Sequence, residues 1–137
     1  YDLKYYVDLA QEVEKAGAHI IAVKDMAGLL KPGAAKVLFK ALREATDLPL
    51  HFHTHDTSGI SAATVLAAVD AGVDVVDAAM DALSGNTSQP CLGSIVEALK
   101  GTERDPGLDP EWIRRISFYW EAVRTQYAAF ESDLKGP

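Results

Sequence analysis

Three histidines occupy alternate positions in the stretch Leu48-Pro-Leu-His-Phe-His-Thr-His-Asp-Thr-Ser-Gly59, at His51, His53 and His55. Successive side chains of an extended strand point to opposite sides, so the three imidazoles share one face while Leu50, Phe52 and Thr54 take the other. Neutral imidazole is the commonest protein ligand for first-row divalent ions, and the His-x-His spacing lets two rings converge on one ion. The plainer alternative is a set of surface or hydrogen-bonded core histidines. Lys24 closes a second apolar run. An ammonium cannot bind a metal, so a ligating Lys24 must lose its proton or become a carbamate, whose oxygen is a hard anionic donor. Otherwise it reaches water or pairs with Asp25. Asp77 and Met80 close a third run, and Thr87 lies in the polar loop beyond. A threonine in such a loop is ordinarily a turn or capping residue.

These residues need elements to position them. Leu3, Tyr6, Val7, Ala10, Val13 and Ala16 recur at helical spacing and predict a helix over Leu3 to Ala16, ended by Gly17. His19 to Lys24 reads as a strand buried on both faces, Asp25 to Pro32 as a loop, and Gly33 to Ala45 as a helix with Pro32 in its first turn. After the histidine strand come a helix over Ile60 to Ala71, closed by Gly72, and a strand over Val73 to Ala79. A loop over Met80 to Cys91 and a helix over Leu92 to Lys100 follow.

Strands alternating with helices across short links imply parallel strands and right-handed crossovers. Glu14 to Ala27 echoes Val69 to Ala82, with Gly17 matching Gly72, so the βα unit repeats. Such repeats suit an α/β chain that is a partial (β/α)8 TIM barrel, carrying about its last three βα units. A doubly wound sheet competes, without a Gly-x-Gly-x-x-Gly loop to support it. A complete barrel typically needs about 250 residues, so a chain of 137 residues without an initial Met is expected to be a fragment. In such barrels the active site lies where strands end and βα loops begin, which is where Lys24, His53, His55, Asp77 and Thr87 all fall. The expected division is 1–101 for the barrel part and 102–137 for a linker and helical extension. The extension is a helix over Glu111 to Phe130 whose apolar side (Trp112, Ile113, Ile116, Trp120, Val123, Tyr127, Phe130) is expected to pack on another part of the parent protein.

Composition narrows the function classes. With 48% hydrophobic and 24% charged residues the chain is globular rather than disordered. No apolar run approaches the roughly 20 residues of a membrane span, and no leader opens the sequence. A single cysteine, Cys91, suits a reducing compartment, and a cytoplasmic location is expected. A net charge of −7 opposes nucleic-acid binding, which rests on Lys and Arg neutralising phosphates.

Three motifs carry a family resemblance. Val23-Lys-Asp-Met-Ala-Gly-Leu-Leu-Lys-Pro32, Leu50-His-Phe-His-Thr-His-Asp-Thr-Ser-Gly59 and Ser84-Gly-Asn-Thr-Ser-Gln-Pro90 closely resemble the carboxyltransferase domain of pyruvate carboxylase. Tyr119-Trp-Glu-Ala-Val-Arg124 and Tyr127-Ala-Ala-Phe-Glu-Ser132 resemble the start of its following helical region. The resemblance implies that His53 and His55 hold a divalent metal, zinc or manganese, with Lys24 as an N6-carboxylysine ligand. It also implies that Thr87 faces biotin and relays a proton between pyruvate and biotin, while carboxybiotin supplies CO2 and oxaloacetate forms. Biotin would arrive on a carrier domain, ATP would be used only by a biotin carboxylase domain, and the parent would be a homo-oligomer, a tetramer, serving anaplerosis and gluconeogenesis. The family's earlier strands supply a further aspartate ligand and the Arg and Gln that hold pyruvate's carboxylate, so the fragment alone is expected to be inactive. His51 is not a ligand by the resemblance, and Cys91 stands where a small residue is expected.

Two alternatives use the same residues. An oxaloacetate decarboxylase or transcarboxylase subunit would keep every motif and run the transfer in reverse or to another acceptor. A metal-dependent lyase or aldolase of the same barrel group would use His53 and His55 without a biotin-facing Thr87.

Overall fold

In the computed structural model the described residues are 1–133; residues 134–137, the end of the expected extension, lie outside them. The order is α1 (Leu3–Lys15), β1 (Ile21–Asp25), α2 (Pro32–Ala45), β2 (Leu50–Thr54), α3 (Ser61–Asp70), β3 (Val75–Val76), a 3-10 turn (Asp81–Leu83), α4 (Leu92–Leu99), α5 (Pro110–Gln126) and a second 3-10 turn (Ala128–Phe130). Helix starts follow local chemistry. Asp2 accepts the Tyr5 N–H at 2.9 Å to cap α1, and Asp109 accepts the Glu111 N–H to cap α5. Proline opens both α2 and α5, where its missing N–H costs nothing.

The three strands are parallel and lie in chain order, β1-β2-β3. With right-handed crossovers, that order puts the connecting helices on one side, as in a barrel wall. The pleat then separates two chemistries. Leu50, Phe52 and Thr54 of β2 are 0% exposed under the helices, and the Phe52 ring meets Phe39 of α2 edge-on at 5.1 Å. The opposite face carries His51 and His53, each with a side chain 25% exposed. A slip of one residue would exchange the faces. Burying Leu50 and Phe52 is worth about 1.5–3 kcal/mol each, so the register that seats them also fixes where the imidazoles point.

Across the sheet, Lys24 stands opposite His53, and Ala22 opposite His51, which stands opposite Val75. Below this layer the sheet is tied by Asp74, whose carboxylate accepts the Leu50 N–H at 2.8 Å and pairs with Arg43 of α2.

Three expectations change. The first strand begins at Ile21 rather than His19, because its ladder starts where the Ile21 N–H meets the Pro49 carbonyl at 2.9 Å and His19 and Ile20 have no facing partner on β2. The third strand shrinks from Val73–Ala79 to Val75–Val76. It pairs with β2 alone, and Ala79 leaves that ladder to form a parallel bridge with Cys91. The last helix stops at Gln126, since Tyr127 closes it by donating its N–H to the Arg124 carbonyl and the chain then tightens into a 3-10 turn.

Of the expected apolar side of α5, Ile113 is buried and Trp120 and Val123 are half-buried, whereas Trp112, Ile116, Tyr127 and Phe130 are exposed. Among the described residues, no helix is long and apolar enough to cross a membrane.

Candidate active site

The site lies at the C-terminal end of the strands. At the end of β1 the pleat sends Lys24 and Asp25 to opposite faces. Asp25 turns toward the helices, where its carboxylate accepts the Leu29 N–H at 3.1 Å and the Leu30 N–H at 2.9 Å, folding the loop back. Asp25 is therefore engaged in its own loop. Lys24 makes no hydrogen bond or ion pair with any described residue, and it shares a face with His53 on the neighbouring strand. Gly28 completes that loop. It has φ +64, and a Cβ there would sit 2.2 Å from the His55 carbonyl oxygen, so no side chain fits between this loop and the end of β2.

Around β2 the histidines are held by partners remote in sequence. His53 Nδ1 lies 2.6 Å from Asp77 Oδ2, and His55 Nδ1 lies 2.5 Å from the Thr87 carbonyl oxygen. A carbonyl can only accept, so His55 carries its proton on Nδ1. The same follows for His53 against an ionised Asp77. Burial raises the Asp77 carboxyl pKa, but the imidazoles of His53 and His51 outweigh it and leave the group below its ordinary value. His51 Nε2 is buried 3.0 Å from Asp77 Oδ1, though out of line for a hydrogen bond. It stands two residues before His53 on the same face of β2.

Those tautomers leave both Nε2 atoms as bare lone pairs, and the two face each other at 3.1 Å. Neither can donate to the other, so with both rings neutral this contact is repulsive unless a cation lies between them. The separation is close to that of two nitrogens each about 2.0–2.1 Å from one zinc ion. The donor set therefore fits a divalent metal. Among the described residues, no group of three His, Cys, Asp or Glu side chains could hold one. The two imidazoles are, among the described residues, the donors that meet here, and Lys24 could join them only as a carbamate.

The loop after β3 presents the Thr87 carbonyl. Gly85 and Asn86 adopt left-handed backbone, the Ser88 N–H donates to the Gly85 carbonyl at 2.9 Å, and the Asp56 N–H donates to the Ser88 carbonyl at 2.8 Å. The Thr87 side chain is exposed and its hydroxyl makes no hydrogen bond to a described residue. It edges a cleft of about 260 Å³ that Thr57, Asn86, Ser88, Arg124 and Glu131 also line.

A family model described as HMGL-like matches residues 1–119. The chain belongs to the HMGL-like family. It is 56% identical over 132 residues to pyruvate carboxylase 1 of Caenorhabditis elegans, covering 96% of this chain and 11% of that protein. It is 53% identical over 137 residues to the pyruvate carboxylase of Staphylococcus aureus, covering 100% and 12%. Among solved structures, the carboxyltransferase domain of Rhizobium etli pyruvate carboxylase with 3-hydroxypyruvate matches at 90% identity and TM-score 0.98 over 100% of this chain and 23% of that one. The same domain solved with pyruvate and biocytin matches with the same values. The chain thus spans about a tenth of its curated relatives and less than a quarter of the solved domain, and its three βα units are part of an HMGL-like barrel. In a closed barrel wall the face bearing Lys24, Val75 and the histidines is the interior.

Asp77 was legible as a strand-end candidate, but its contact with the His53 ring is made only by packing between βα units. It stands two residues after Val75, on the histidine face, and so reaches the His53 ring. Carboxylates that orient a ligating imidazole typically matter 10–100-fold to metal affinity. Asp77→Ala in the full-length parent protein is expected to weaken metal binding by about that factor, measured by chelator competition. Unchanged affinity would show that His53 is oriented by something else.

Proposed function

We propose that this chain is the metal-holding part of a biotin-dependent carboxyltransferase that moves a carboxyl group from carboxybiotin to pyruvate, giving oxaloacetate. The observation that carries the proposal is the pair of bare imidazole nitrogens, held by Asp77 and the Thr87 carbonyl, in a chain 90% identical to a domain solved with pyruvate and biocytin. A zinc or manganese ion bound by His53, His55 and carboxylated Lys24 would polarise the keto acid and stabilise the charge that develops when its methyl group loses a proton. Asp77 fixes the His53 tautomer and Thr87 that of His55. Residues 1–101 would serve as barrel wall and 102–137 as the start of a helical extension. A biotin carrier, an ATP-using biotin carboxylase domain, a homotetrameric parent and a cytoplasmic location belong to the same proposal. The named relatives do not favour the decarboxylase, transcarboxylase or lyase alternatives.

Two roles of Thr87 can be told apart. The resemblance assigns its hydroxyl to a proton relay, whereas the geometry supports a role through its carbonyl, which any residue would supply. In the full-length parent protein, with pyruvate, bicarbonate and ATP, oxaloacetate formation is expected to be abolished by avidin. Because Thr87→Ala keeps the carbonyl that holds His55 and removes only the hydroxyl, it is expected to lower oxaloacetate formation by at least roughly 10²-fold with metal content intact, and Thr87→Ser to restore part of the rate. A Thr87→Ala rate within a few-fold of normal would end the relay and leave the carbonyl as the only role of this residue. Avidin-insensitive turnover of a keto or hydroxy acid would favour the lyase reading.

A further inference from the structure

We propose that α5 of the helical extension positions the metal-ligand candidate His55, with Arg124 and Ser117 as the positioning residues; this rests on the metal reading above. Both backbone polar groups of one residue, Ala82, are taken by side chains of this helix. The Ala82 N–H donates to Ser117 Oγ at 3.2 Å, and Arg124 Nη1 donates to the Ala82 carbonyl at 2.6 Å. Arg124 is itself held by an ion pair with Glu131 beyond the helix end. Ala82 is the middle residue of the 3-10 turn Asp81–Leu83. The other side of that turn is pinned to α4, where Asp81 accepts the Gly93 N–H at 2.8 Å; a Cβ on Gly93 would lie 2.4 Å from Asp81 Oδ2.

Four residues after this turn, the chain presents the Thr87 carbonyl to His55 Nδ1. That bond is what keeps the proton off His55 Nε2. The path therefore runs from α5 through Ala82 and the loop to the imidazole, by hydrogen bonds to backbone that no change of side chain in the loop would replace. The loop has a second anchor at its far end, where the Asp56 N–H meets the Ser88 carbonyl. Removing Arg124 should therefore loosen the loop at one end rather than release it. The expected effect is below the 10–100-fold typical of a partner in direct contact with a ligand.

The test uses the full-length parent protein loaded with Zn²⁺, following zinc release to a chromogenic chelator at a temperature where circular dichroism shows every variant folded. Arg124→Ala is expected to release zinc roughly three- to tenfold faster, and Arg124→Lys, which can still reach one acceptor, by less. Ser117→Ala, a milder change, should also speed release. Its effect combined with Arg124→Ala should be less than the product of the two, because both act on Ala82. A lowered melting temperature with wild-type zinc release would make the contact merely structural and overturn the proposal. His55→Ala separates the two failures. If that control loses zinc while Arg124→Ala does not, the strap is wrong; if the control also keeps zinc, the metal reading beneath it is wrong as well.

Discussion

Replacing His53 and His55 together by alanine is expected to empty the metal site of the parent protein. The two Nε2 atoms are the donors that geometry brings to a common point, 3.1 Å apart with both protons accounted for elsewhere. Losing one leaves a site of reduced affinity; losing both leaves Lys24 as the only candidate among the described residues. The fold should survive. Both rings lie on the face away from the helices, while the apolar layer of Leu50, Phe52 and Phe39 is untouched. Elemental analysis of the full-length protein should fall from about one ion per chain to a small fraction, with oxaloacetate formation falling in parallel and circular dichroism unchanged. Asp77 gives a further check: with His53 gone, burial is opposed by His51 alone, and the carboxyl pKa should rise from its lowered value. Full metal content in the double variant would exclude this site.

The second large effect is expected at Lys24. It stands opposite His53 in the sheet, and its sequence neighbour Asp25 spends its carboxylate on the Leu29 and Leu30 N–H groups of the other face. An uncarboxylated ammonium beside a divalent ion would repel it. A carbamate reverses the sign and adds an oxygen donor to two nitrogens. Lys24→Arg keeps the length and positive charge but cannot form that carbamate, so metal content and oxaloacetate formation should fall together, the latter by at least about 10²-fold. Lys24→Arg with normal metal content and activity would end this role. So would a high-resolution electron-density map of the loaded parent protein with an unmodified amine turned away from the ion.

Much of this was legible from residue order. Alternation in Leu50-His-Phe-His-Thr54 determines which face is buried, because two aliphatic or aromatic groups under the helices outweigh any register that would bury imidazoles instead. The helix–strand rhythm, the caps at Asp2 and Asp109 and the prolines at Pro32 and Pro110 are likewise local properties, written within a few residues of where they act. The placement of Lys24, His53 and Thr87 near strand ends follows from the same rhythm.

What order could not settle depends on atoms far apart in the chain. That Asp77 holds His53 across 24 positions, and that Thr87 reaches His55 across 32 positions by its carbonyl, are facts of packing between βα units. A one-dimensional pattern identifies side chains, whereas the Thr87 contact is made by a backbone atom that every residue possesses. The length of β3 differs from its sequence pattern for a related reason: Val73 to Ala79 has the composition of a strand, but a strand extends only as far as its neighbour continues beside it. Nor does the α5 pattern tell which of its apolar groups are covered, since an apolar stripe states what a helix can bury and only the surrounding chain decides what it does bury. The sequence by itself therefore determined the faces and the candidate ligands. Tertiary structure decided the tautomers, and with them the two lone pairs that face each other, because the groups that hold the Nδ1 protons lie in other βα units.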